Sequence, residues 1–80
     1  MTKADKQLER LRQNPKNVSF AELCIVVERH GFVVRTVRGS HYQFRHESLP
    51  EVLTIPARSP VKPVYVRIVL QLIDRLRGEE

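Results

Sequence analysis

The sequence predicts an α+β fold: a three-stranded antiparallel sheet with helices packed on one face, in the order α-α-β-β-β-α. Two observations carry this. Apolar residues recur at helical spacing in two segments before Gly31 and in a third after Pro63, whereas the stretch between them holds three short runs of β-branched and aromatic residues separated by turn formers. A sheet this small needs cover on one face only, leaving the other to water. At 80 residues the chain is expected to form a single domain over 1–80.

Each element has its own signal. In residues 3–13, KADKQLERLRQ, Leu8 and Leu11 lie three apart among charges, and the helix must stop before Asn14-Pro15, because proline pushes its predecessor out of the α region. Ser19 followed by Glu22 reads as a capping box opening a second helix, with Phe20, Leu23, Cys24 and Val27 on one face and Gly31 as the left-handed residue past its end. Strands are predicted over 32–37, 41–45 and 52–55, with Arg38-Gly39-Ser40 as the first turn and a loop through Pro50 as the second connection. Residues 64–77 are rich in β-branched side chains, but fourteen residues is long for a strand and Pro63 suits the first helical position.

Composition sets limits on function. A chain this short buries roughly 60–65% of its unfolded surface, which leaves little material for a deep, walled pocket, so chemistry is expected on an open face. One cysteine, Cys24, cannot form an internal disulfide, and no apolar run approaches the roughly 18–20 residues of a membrane span. With no signal-peptide core at the N-terminus, a cytoplasmic protein with no membrane association is expected. The formal charge of +5 is unevenly placed: residues 1–17 and 35–46 each carry +3, the latter with Arg35, Arg38 and Arg45 and no acid. Clustered positive charge favours a polyanionic partner.

Alternation along the second strand, HYQFR, places Tyr42 and Phe44 toward the helices and His41, Gln43 and Arg45 toward solvent, with Arg35 expected in the neighbouring row. An unprotonated imidazole at His41 can serve as a general base. His30, at a helix C-terminus, and His46, at a strand end, read as structural. The three histidines and Cys24 follow no metal-ligand spacing, Cys24 reads as a small core residue, and no phosphate loop or Ser-His-Asp order is visible. Neither a metal nor another cofactor is expected.

The runs RQNPKNVSFAELCIVVERHGF, RTVRGSHYQFRH and LTIPARSPVKPVYVRIVLQLI together resemble the HicA toxins of bacterial type II toxin–antitoxin systems along nearly the whole chain. Gly39-Ser40-His41 behind a strand is the most specific element, with Leu53-Thr54-Ile55-Pro56 and Lys62-Pro63 at the matching intervals. The resemblance implies a double-stranded-RNA-binding-domain-like fold, mRNA cleavage and neutralisation by a HicB-like antitoxin. It implies that His41 is the catalytic histidine and that Gly39 and Ser40 form its turn. Val64-Tyr65-Val66 departs from the Gly-containing, more polar helix start of many members, which bears on the surface offered to an antitoxin or a second copy.

A one-histidine mechanism follows, in which His41 takes the proton from an RNA 2′-OH that attacks the adjacent phosphorus. Arg35, Arg38 and Arg45 are the expected phosphate contacts, with Lys62 as a further one, since guanidinium binds phosphate through paired hydrogen bonds. Two other readings use the same residues: a non-catalytic RNA- or DNA-binding module on the basic face, and a protein-interaction domain. The last rests on the C-terminal helix, where Val66, Val69, Leu70 and Ile73 form one apolar stripe and Tyr65, Ile68 and Leu72 a second. If open, the second stripe would receive an antitoxin or form a homo-oligomer.

Overall fold

The computed structural model describes residues 2–78 and has the expected element order: α1 (Lys3–Gln13), α2 (Phe20–Arg29), β1 (Val33–Arg38), β2 (His41–Arg45), β3 (Leu53–Pro56) and α3 (Pro63–Arg77). α2 begins where Ser19 Oγ accepts the Glu22 amide hydrogen at 3.1 Å. The reciprocal half of the capping box predicted there is not made, because the Glu22 carboxylate pairs with Arg10 of α1 at 2.9 Å. A second free donor of the helix end, the Phe20 N–H, goes to Ser59 Oγ at 3.0 Å. A full capping box forms instead at Thr2 and Asp5, opening α1.

β1, β2 and β3 pair antiparallel in that order, with β2 in the centre. Arg38 and His41 close the first hairpin across Gly39-Ser40, so Arg38 ends the strand and is not part of the turn as expected. Phe32 is the residue displaced from the predicted strand, and it enters the core at 2% exposure. β3 is likewise one residue later than predicted.

The register of β1 shifts between Val34 and Thr36, so that Arg35 has no partner on β2. This bulge resets the alternation of the strand. On unbroken alternation Arg38 would share a face with Val34, whose partner Phe44 is fully buried; after the bulge it shares a face with His41.

The opposite face carries Tyr42, Phe44, Leu53 and Ile55, which join Leu23, Val26 and Val27 of α2 and Val66, Val69 and Ile73 of α3 in one core. Tyr42 meets Phe20 of α2 edge-on at 4.9 Å. Burying side chains such as Phe44 and Ile55, both at 0% exposure, contributes roughly 1.5–3 kcal/mol each. Leu8 and Leu11 add α1 to this core, and no polar or charged side chain among the described residues is buried in it.

Around Leu8 and Leu11, α1 is tied down by its charges. Arg10 pairs with Glu22 of α2, Arg12 donates to Asp74 of α3 through Nη1 and Nη2, and Asp5 faces Arg77 of α3 at 3.3 Å. The positive charge of residues 1–17 is therefore partly consumed by internal pairs and is not the free basic cluster that its sequence density implies.

Candidate active site

The site is built on the β1–β2 turn. Gly39 adopts φ +57° and is followed by Ser40 with negative φ, the pattern of a two-residue hairpin turn with glycine in its first position. The Ser40 carbonyl accepts the Ala57 N–H, which fastens the turn to the chain leaving β3. His41 follows on the central strand, exposed, with Arg38 across from it on β1 and Pro56 across from it on β3. These three share the face away from the helices.

Beside this row lies a cleft of about 450 Å³, lined by Ser40, His41, Arg58, Lys62 and Tyr65, with Pro56, Ser59, Pro60 and Val61 completing its walls. Its far side is the 57–62 connection, held by Ser59 Oγ accepting from Phe20 N–H and by Val61 N–H donating to Val18 C=O at 2.7 Å. The lining therefore brings together one imidazole and two cations, with no carboxylate. Neither Arg58 nor Lys62 forms an ion pair with another described residue.

The predicted basic residues divide accordingly. Lys62 lines the cleft and Arg38 stands next to His41 in the sheet. Arg45 is four residues further along β2, roughly 13 Å away at strand rise, and Arg35 sits in the bulge. Arg58 and Tyr65 were not singled out for this site from the sequence. The two prolines bracketing Ala57-Arg58-Ser59 mark an ordered connection that could have pointed to Arg58. Tyr65 is hidden by its place in an apolar stripe.

The model of the family described as HicA toxin of bacterial toxin-antitoxin matches residues 20–74, from the first residue of α2 to the last turn of α3. The chain belongs to the HicA toxin family. It is a toxin of a toxin–antitoxin system, and membership implies an antitoxin partner. The matched span includes the turn, His41 and the whole cleft, and leaves out α1. No curated protein and no solved structure matches the chain.

The toxin's other histidines have structural partners. His30 Nδ1 lies 2.8 Å from the Val26 carbonyl, one turn back in α2, and so donates to it. His46 Nδ1 accepts from the Ser48 N–H at 3.0 Å, which makes Nε2 the donor to the His30 carbonyl at 3.0 Å. The His46 ring also meets Phe32 edge-on at 5.1 Å. Partial burial pushes the Cys24 thiol up from its ordinary value, with the Glu28 charge adding to the effect, so the reactive thiolate is disfavoured. Among the described residues no group of three or more His, Cys, Asp or Glu could hold a metal ion, and no helix is long and apolar enough to cross a membrane.

The second stripe of the toxin's α3 does not behave as a unit. Leu72 is buried and Tyr65 packs partly against the core, whereas Ile68 is 38% exposed and Val64, one turn earlier, 52%. The open apolar part of this helix thus reduces to Val64 and Ile68.

Proposed function

We propose that this toxin is an endoribonuclease that cleaves mRNA in the cytoplasm, with His41 as general base and no metal ion in the reaction. The observation that supports this most directly is the exposed imidazole at the mouth of a cleft lined by Arg58 and Lys62, with Arg38 at its side. In the reaction His41 takes the 2′-OH proton, the 2′-oxygen forms a bond to phosphorus and the P–O5′ bond breaks, leaving a 2′,3′-cyclic phosphate. The departing 5′-oxygen takes a proton from water or from the His41 imidazolium. A positioned base contributes roughly 10²–10⁴-fold, and cations around the crowded phosphate add electrostatic stabilisation.

The deciding experiment compares wild type with His41→Ala for cleavage of mRNA in EDTA and for growth inhibition on induction. Loss of both, with fold and RNA binding retained, is the expected result; undiminished cleavage removes His41 from the mechanism. A substrate carrying a 2′-deoxy nucleotide at the cut site should resist cleavage, and persistent cutting refutes attack by the 2′-oxygen. A protein that binds RNA without turnover is instead a non-catalytic module on the same face.

A second reading concerns the protein partner and is favoured by the exposure of Val64 and Ile68 on α3. These two residues supply the apolar part of a contact with a HicB-like antitoxin or with a second copy of the chain. Val64→Ser with Ile68→Ser should weaken that contact; unchanged antitoxin binding and an unchanged monomeric state of both proteins would reject it.

A further inference from the structure

We propose that the cleft beside His41 is a subsite for one unpaired nucleotide of the RNA substrate, whose base stacks on the Tyr65 ring while Arg58 and Lys62 hold the adjoining phosphates. The proposal rests on the ribonuclease reading of His41 and names the form of RNA that reaches it.

Four features of the cleft support it. Its volume of about 450 Å³ falls in the range of clefts that take a nucleotide-sized group. Tyr65 lines it while packing partly against the core, so its side chain is already partly ordered and little freedom is lost when a base stacks on it. Its hydroxyl makes no hydrogen bond with a described residue, so no polar partner ties the ring to another part of the protein. Lys62 and Tyr65 are three residues apart at the start of α3, where such residues lie on one side of a helix, and Arg58 of the 57–62 connection adds a second cation to the lining.

The walls are also preset. Three hydrogen bonds fix the 57–62 connection: Ala57 to Ser40, Phe20 to Ser59 and Val61 to Val18. Stacking of this kind requires a base that has left the helix, because paired bases in an A-form duplex present only their edges in the grooves. It tolerates any base, since each has a π-face. A 2′-oxygen attacking its own phosphorus in line also needs a ribose free of A-form geometry. One unpaired nucleotide in the cleft meets both requirements.

The test separates binding from cleavage. The chain has no tryptophan and two tyrosines, so in a Tyr42→Phe/His41→Ala protein the tyrosine emission comes from Tyr65 alone. Titration with a mixed-sequence single-stranded RNA decamer should quench that emission saturably, and the same decamer annealed to its complement should not. Measured by anisotropy of labelled decamer in the His41→Ala background, Tyr65→Ala should weaken binding about 5- to 150-fold, the range for loss of one stacked base. Tyr65→Phe should stay within about twofold. Tyr65→Leu keeps an apolar side chain against the core, and should bind as weakly as Tyr65→Ala if the ring is what matters.

Equal binding of duplex and single strand, undiminished binding by Tyr65→Leu, or a Tyr65→Phe loss as large as that of Tyr65→Leu each overturns the stacking subsite. Wild type that shows the Tyr65-dependent binding without ever cleaving sinks the nuclease reading and leaves the subsite standing. Active cleavage with Tyr65-independent binding does the reverse.

Discussion

Placing a Cβ on Gly31 tests whether His46 is a structural histidine, and so whether His41 is the one left for chemistry. Gly31 has φ +91°, and an added Cβ would lie 2.8 Å from His46 Nε2. Two penalties therefore act in Gly31→Ala. The backbone penalty for a non-glycine residue in this region is about 1–3 kcal/mol. The second is displacement of the imidazole, which must shift and so weakens its bonds to the His30 carbonyl and the Ser48 N–H and its edge contact with Phe32. Each of those three is worth roughly 0.5–1.5 kcal/mol. With all three lost, the upper limit of the total is a large part of the roughly 4–12 kcal/mol expected for a domain of this length.

Gly39→Ala isolates the first penalty, because Gly39 has φ +57° and its added Cβ meets nothing within 4 Å. Urea unfolding of Gly31→Ala, His46→Ala and the double variant then forms a cycle. In the His46→Ala background the imidazole is gone, and Gly31→Ala should cost only about 1–3 kcal/mol, similar to Gly39→Ala. If Gly31→Ala costs the same with and without the ring, the two residues are not coupled and the structural assignment of His46 fails.

Further predictions address the charges. Arg58→Ala and Lys62→Ala should each weaken single-stranded RNA binding and reduce its salt slope by about 0.7, whereas Arg45→Ala, at the far end of β2, should change both less; equal effects in salt titrations would mean that the cleft is not where phosphate sits. Arg12→Ala breaks the paired contact from α1 to Asp74 and should lower stability by about 1 kcal/mol, a drop in Tm of roughly 4–8 °C; an unchanged Tm would show that this pair does not help to hold α1. The Thr2 N–H and hydroxyl hold Asp5 below the usual carboxylate range, and the Arg75 guanidinium does the same for Glu51. Groups lowered in the folded state add stability above their unfolded values, near pH 4, and lose it as pH falls through the folded ones. Asp5→Asn with Glu51→Gln should therefore flatten the decline of stability as pH falls below about 4, and an unaltered slope in acid unfolding would contradict this.

Much of the architecture was legible in the chain because the relevant signals are local. Ser19, Gly31 and Pro63 mark helix ends through the hydrogen bonds or backbone angles that only a few residue types supply. Alternation in β2 separated Tyr42 and Phe44 from His41 and Arg45, and the structure keeps that division. The residues of the cleft were less legible. His41 and Lys62 could be named from their own neighbourhoods, but Arg58 and Tyr65 acquire meaning only when the 57–62 connection folds back against the turn.

By itself, then, the sequence determined the kinds and order of the elements, the face on which His41 lies and the family to which the chain belongs. The tertiary structure decided which charges remain open. It pairs Arg10 and Arg12 with carboxylates of α2 and α3, it places the bulge at Arg35 so that Arg38 shares the face of His41, and it brings Arg58 and Lys62 into the cleft that His41 lines. The physical reason is one of range. Caps and alternation act over one to four residues, whereas an ion pair such as Arg12 with Asp74 joins positions 62 apart in the chain and exists only once the core has brought α1 and α3 together.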